Sequence, residues 1–129
     1  MERSGPSRGY PLSTHRGVEA ALGFALIFLA IVLALDPGGN FDFSIAGVAV
    51  CGVTGLMLAT LGVATPRQGV GVGPASHRAF DFVIVAILAL AAILFAIDGA
   101  TTEWIIFAAA GIGHLLMTLR TRYTLAGGE

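Results

Sequence analysis

Six ionisable residues lie near the ends of the apolar stretches of this sequence. They are Arg16, Glu19, Arg78, Asp81, His114 and Arg120, and we expect them to lie at one depth as a polar layer. Carboxylate, imidazole and guanidinium groups held at membrane depth can form a hydrogen-bonded network or relay protons. The same groups can instead cap and anchor helices, because carboxylates favour helix N-termini and arginines reach lipid phosphates. Both interpretations stay open.

The three histidines, His15, His77 and His114, could in principle bind haem or a transition metal. We expect His15 and His77 to precede their helices, among water or headgroups, and no two histidines stand four residues apart within one helix. His114 also suits a hydrogen bond between helices. The single cysteine, Cys51, excludes an intrachain disulfide and a cysteine-based metal site. The sequence therefore predicts no metal site, no cofactor and no catalytic residue.

The composition indicates that a lipid bilayer surrounds these residues. Of 129 residues, 56% are hydrophobic and only 12% are charged, against ~25% charged in a soluble domain. Four apolar stretches approach the ~20 residues that cross a bilayer as a helix. They are residues 18–35, 43–64, 80–97 and 104–119. The predicted fold class is therefore an all-α membrane protein with four transmembrane helices.

Helix-breaking residues divide the chain between these spans. Segments 36–40 (DPGGN) and 98–102 (DGATT) are predicted to be compact turns, whereas the glycine- and proline-rich segment 65–76 is predicted to be a linker. The predicted organisation is a polar tail (1–17), a two-helix repeat (18–64), the linker (65–76), a second two-helix repeat (77–123) and a short tail (124–129).

The arginines predict the orientation. All seven basic residues are arginines, and they fall in the tails, in the linker or next to them, while the two turns are acidic. The positive-inside rule therefore places both termini and the linker in the cytoplasm of a multi-pass plasma-membrane protein. The net charge of −1 excludes a general attraction to nucleic acid.

The two halves of the chain share a pattern that indicates a tandem duplication. His77 follows His15 by 62 residues, and Asp81 follows Glu19 by the same interval. Because each unit has two spans, the copies keep one orientation and should be related by an axis along the membrane normal. The polar residues before each histidine, Thr14 and Ser76, are predicted N-caps.

Small residues are expected to hold the helices together, because lipid gives helices no hydrophobic reason to associate. They are Gly47, Cys51 and Gly55 in the second span and Ala109 and Gly113 in the fourth. We predict that they form contacts within the chain, and a seam between two copies is the alternative.

Segments 23–27 (GFALI) and 32–35 (VLAL), within a duplicated helix-turn-helix unit, resemble the SPW-repeat family of small bacterial membrane proteins. The positions aligned with the family's Ser-Pro-Trp tripeptide hold LAI (29–31) and AAI (91–93). The resemblance implies an architecture and no reaction.

The functional prediction is a non-enzymatic structural, accessory or interaction component. The alternative is a homo-oligomeric channel or small transporter, and a homo-oligomer or a membrane-protein partner is compatible with either. Residues 22–33 and 83–94 contain no polar side chain. An aqueous path needs polar lining, so this feature favours the accessory interpretation.

Overall fold

The structure, a computed structural model, describes residues 9–35, 43–64 and 72–123. These residues form four helices: α1 (Leu12–Leu35), α2 (Ile45–Val63), α3 (Pro74–Asp98) and α4 (Thr101–Arg120). Two short strands, β1 (Tyr10–Pro11) and β2 (Thr121–Arg122), pair in parallel. The all-helical prediction is confirmed, and each helix is long and apolar enough to cross a membrane.

Helices α1 and α3 begin earlier than the apolar stretches predict. Helix α3 starts at Pro74, whose fixed φ and missing N–H are compatible with the first helical turn, and Gly73 is its N-cap. The predicted N-caps Thr14 and Ser76 lie inside the helices, so that prediction is wrong. Hydropathy marks where a helix enters lipid, and polar residues before that point can still be helical. Residues 12–17 of the predicted tail therefore belong to α1, and residues 74–76 of the predicted linker belong to α3.

The connection between α3 and α4 is a two-residue turn. Gly99 adopts a left-handed conformation (φ +78°) that ends α3, and α4 begins two residues later at Thr101. Glu103, two residues into α4, lies buried in the first turn of that helix. The predicted turn at 36–40 and residues 65–71 of the predicted linker lie outside the described residues.

The first hairpin, α1 with α2, is packed at backbone contact distance. A Cβ atom at Gly23 would lie 2.3 Å from the backbone nitrogen of Ala59, and one at Gly62 would lie 2.4 Å from the nitrogen of Ala20. Gly55 faces Gly23 across the same contact. This close approach brings backbone atoms into van der Waals contact, which is the main attraction between helices in lipid.

The small residues predicted for helix packing divide between the two hairpins. Gly47, Cys51 and Gly55 of α2 are buried, whereas Ala109 and Gly113 of α4 are exposed. Nothing in the described chain lies within 4 Å of a Cβ built on Gly113. The predicted contact within the chain is therefore wrong for the α4 pair. Helix α4 buries Gly111 instead, which lies two residues from each of them and therefore on the opposite side of the helix.

An apolar core joins the two hairpins. Leu58 of α2, Ile84 and Leu88 of α3 and Phe107 of α4 are fully buried, and the Phe107 ring stacks on Phe95 with centroids 5.4 Å apart. Only 22–39% of the most apolar window of each helix is buried, so most of the apolar surface faces outward. Such a distribution indicates a membrane protein, because water would leave this apolar surface unfavourably exposed.

Candidate functional site

Five ionisable side chains meet inside the end of the bundle where α1 and α3 begin. His15 and Glu19 come from α1, His77 and Asp81 from α3, and His114 from α4. A spacing of four residues puts each histidine and its acidic partner on one helix face. All five residues are at most 4% exposed. We call this set the histidine–carboxylate cluster.

Each carboxylate of the cluster faces all three imidazoles. Glu19 Oε2 lies 2.7 Å from His77 Nε2, and its Oε1 lies 3.3 Å from His15 Nε2 and 3.9 Å from His114 Nε2. Asp81 Oδ2 lies 3.1 Å from His15 Nε2, and its Oδ1 lies 3.4 Å from His114 Nε2 and 3.8 Å from His77 Nε2. The carboxylates therefore pair with histidines.

The residues after α4 cover the cluster and contact it directly. Thr121 Oγ1 donates to the Met117 carbonyl at 2.7 Å and lies 2.7 Å from His15 Nδ1. A hydroxyl has one proton, so Thr121 must accept its second hydrogen bond from the Nδ1–H of His15. The Tyr123 hydroxyl donates to Asp81 Oδ2. Burial and this hydrogen bond raise the pKa of Tyr123, which keeps it protonated as a donor.

Four atoms of the cluster have no hydrogen-bond partner among the described residues. They are His15 Nε2, Glu19 Oε1, Asp81 Oδ1 and His114 Nε2. Buried polar atoms are almost always paired, so four orphaned atoms in one place require an explanation. His15 Nε2 lies 3.3 Å from Glu19 Oε1, and His114 Nε2 lies 3.4 Å from Asp81 Oδ1. These distances would allow hydrogen bonds, but the angles at the atoms do not.

The arginines of the predicted polar layer lie outside the cluster. Arg16 donates to the carbonyl of Ala64 at the C-terminal end of α2. The Arg78 guanidinium lies 5.8 Å from the ring centroids of Phe82 and Tyr123, and Arg120 is exposed. Arg16 and Arg78 each follow a cluster histidine by one residue, which places them about 100° further around the helix.

Two members of the cluster differ from the sequence prediction. His15 and His77 were expected to precede the helices, in water or headgroups, and that expectation is wrong: they are 0% and 2% exposed inside α1 and α3. The signal that could have found them is the His-to-acid spacing of four residues, which occurs in both halves as His15–Glu19 and His77–Asp81.

A second buried carboxylate lies at the opposite end of the bundle. Glu103 is 2% exposed, and its Oε1 accepts a hydrogen bond of 2.6 Å from the backbone N–H of Ser44. Ser44 is the N-cap of α2. Glu103 therefore ties α4 to the start of α2, where the positive end of the helix favours a negative charge.

The donor atoms of the cluster are of the types that bind transition metals. Imidazole nitrogens and carboxylate oxygens of His15, Glu19, His77 and Asp81 all lie within 4.8 Å of one another. The same groups can also share protons through short contacts. The arrangement can therefore accommodate positive charge in two ways: as a metal ion bound between the side chains, or as protons on the imidazoles.

The described residues form a small bundle of four span-length helices with a buried histidine–carboxylate cluster. Comparison with models of known families, with curated proteins and with solved structures finds no match. The resemblance to the SPW-repeat family stays a prediction.

Proposed function

We propose that this chain is a small four-span integral membrane protein that acts as a non-enzymatic structural or accessory component. The observation that carries the proposal is the apolar core between the two polar ends. Thr54 is the buried polar residue in that section of the described chain, and its hydroxyl is bonded to the Val50 carbonyl. A single chain with such a core has no polar path along its axis.

The lipid bilayer is the proposed partner of the outer surface. Phe28, Leu35, Ile45 and Ile97 are 69–90% exposed and point away from the core. Hydrocarbon accommodates these side chains without the cost of hydrating them. A second copy or another membrane protein can occupy part of the same surface, and the exposed small residues Ala109 and Gly113 favour such a contact.

We further propose a tandem duplication with a twofold axis along the membrane normal. Two reciprocal contacts support it: His77 meets Glu19 at 2.7 Å, and His15 meets Asp81 at 3.1 Å. Buried positions in α2 (Gly47, Cys51, Gly55, Leu58) are matched 56 residues later in α4 (Glu103, Phe107, Gly111, His114). The interval falls from 62 to 56 because the second hairpin has the shorter connection.

We place both termini in the cytoplasm, in line with the positive-inside rule. In a Cys51→Ala background, Thr101→Cys should react with an impermeant maleimide added outside intact cells, and Gly73→Cys should not. Both positions are exposed in the structure, so reactivity reports the side of the membrane. External labelling at position 73 with none at 101 would reverse the orientation.

Flux measurements on reconstituted vesicles test the function. The accessory role predicts proton and ion permeability equal to that of protein-free vesicles. The ionisable cluster is the observation that favours the alternative, a homo-oligomeric channel or transporter. A flux that His114→Ala abolishes would establish that alternative and overturn the accessory role.

A further inference from the structure

The two buried carboxylates of the histidine–carboxylate cluster need a balancing positive charge. Glu19 and Asp81 are 1% and 0% exposed, and each lies within 4 Å of three histidines. Two unbalanced carboxylates at this depth would strongly destabilise the fold. The cluster therefore holds either protons on the imidazoles or a cation among them.

The hydrogen bonds around His15 turn its Nε2 atom towards the carboxylates of the cluster. Its Nδ1 carries the proton donated to Thr121, so Nε2 is the ring nitrogen that faces them. Nε2 lies 3.1 Å from Asp81 Oδ2 and 3.3 Å from Glu19 Oε1. A bare nitrogen lone pair and two carboxylate oxygens at these distances repel one another, so either a proton on Nε2 or a metal ion lies between them.

Three of the separations among the four orphaned atoms are close to those in a coordination sphere. Ligands 2.0–2.1 Å from a tetrahedral metal are separated by about 3.3 Å. His15 Nε2 and Glu19 Oε1 are 3.3 Å apart, His114 Nε2 and Asp81 Oδ1 are 3.4 Å apart, and His114 Nε2 and Glu19 Oε1 are 3.9 Å apart. Ligands point at a common ion instead of at one another, which explains why these atoms fail to hydrogen-bond.

We propose that the cluster binds one divalent first-row transition-metal ion through His15 Nε2, Glu19 Oε1, Asp81 Oδ1 and His114 Nε2. Two carboxylates and a divalent ion sum to zero charge, which suits a buried site. Mixed imidazole and carboxylate donors favour ions such as Zn²⁺, Fe²⁺ or Co²⁺ over Ca²⁺ and Mg²⁺, which prefer all-oxygen sites.

Three neighbouring residues position the ligands. His77 contacts the second oxygen of Glu19, Tyr123 donates to the second oxygen of Asp81, and Thr121 accepts from His15. Such outer contacts fix the orientation of metal ligands and typically contribute 10–100-fold in affinity. They also leave the four proposed ligand atoms free for the ion. This inference holds whether the accessory role or the channel alternative is correct.

The test uses the full-length protein, purified in mild detergent and stripped with a chelator. Co²⁺ should produce the intense visible absorption of a tetrahedral site and saturate at one ion per chain, and Zn²⁺ should displace it. Zn²⁺ should also raise the unfolding temperature, because it binds the folded state. Asp81→Asn and His114→Gln should each weaken binding at least about 100-fold. Tyr123→Phe should weaken it less.

Glu103→Gln is the matched control, since it neutralises an equally buried carboxylate at the other end of the bundle. It should bind the metal as the wild type does. Should the ligand variants fail to fold, X-ray absorption of the Zn²⁺-loaded wild type decides: four nitrogen and oxygen neighbours support the site, and a sulfur neighbour overturns it.

Two results would overturn the metal site outright. One is a folded wild-type chain that shows neither a Co²⁺ band nor a shift in unfolding temperature with Zn²⁺, which would leave protons as the balancing charge. The other is undiminished binding by folded Asp81→Asn and His114→Gln variants. Neither result bears on vesicle permeability, so failure of this inference is distinguishable from failure of the proposed function.

Discussion

The contact between α1 and α2 predicts that Gly23→Ala destabilises the protein. The added Cβ would lie 2.3 Å from the nitrogen and 2.8 Å from the Cα of Ala59, and 2.7 Å from the carbonyl oxygen of Gly55. All three are backbone atoms of a neighbouring helix, so no side chain can rotate away. Ordinary contact begins at 3.4 Å, and the helices must therefore separate by about 1.1 Å at this point.

The expected cost follows from that separation. Overpacking of this kind costs about 1–3 kcal/mol, and the higher end applies where backbone must move. Alanine recovers up to about 1 kcal/mol through its better helix propensity. We therefore expect Gly23→Ala to lower the free energy of unfolding by about 1–2 kcal/mol. In lipid no hydrophobic term between helices compensates for the lost contact.

The assay is equilibrium unfolding in mixed detergent and dodecyl sulfate micelles, followed by circular dichroism. Gly113→Ala is the matched control, because a Cβ there meets nothing within 4 Å and should leave the monomer as stable or slightly more stable. Equal stability of the Gly23→Ala variant and the wild type would refute the packing argument. A loss of self-association in Gly113→Ala alone would reveal a seam between two copies.

Three further predictions concern single contacts. Replacing Glu103 by leucine removes the acceptor for the Ser44 N–H and should cost about 1–3 kcal/mol, whereas Glu103→Gln should be near neutral, both read from unfolding curves. Arg16→Gln should lower stability by about 1 kcal/mol through loss of its bond to Ala64, and Arg120→Gln, at an exposed site, by much less in the same assay. Cys51 is 0% exposed, so maleimide should modify it at the rate at which the bundle opens, and fast labelling under native conditions would contradict its burial.

The sequence alone determined the number of helices and the centre of each. Apolar stretches of span length admit few structures, because in hydrocarbon every backbone group must be bonded within its own segment. The helix starts were less predictable: residues 12–17 (LSTHRG) and 74–79 (PASHRA) are helical but contain no apolar run. Their helicity depends on local propensity and on the proline at position 74, which hydropathy ignores.

Three of the five residues of the cluster could be predicted from the sequence, since Glu19, Asp81 and His114 belong to the predicted polar layer. The residues that contact them could not be predicted. Arginine is the usual partner of a carboxylate, yet here the helical phase places Arg16 one position past His15 and therefore on a different face. The predicted helix starts were a few residues too late, so the prediction placed His15 and His77 before their helices instead of inside the bundle.

Which side chains meet depends on how the helices pack against one another. Helical phase assigns Gly111 to the interior of α4 and Ala109 and Gly113 to its surface, although all three fit a small-residue pattern. The convergence of His15, His77 and His114 depends on three helices related by packing, and no spacing along the chain encodes it. Sequence periodicity fixes a direction around one helix axis, whereas a site among helices also needs their relative rotation and depth, which arise from close packing of the whole bundle.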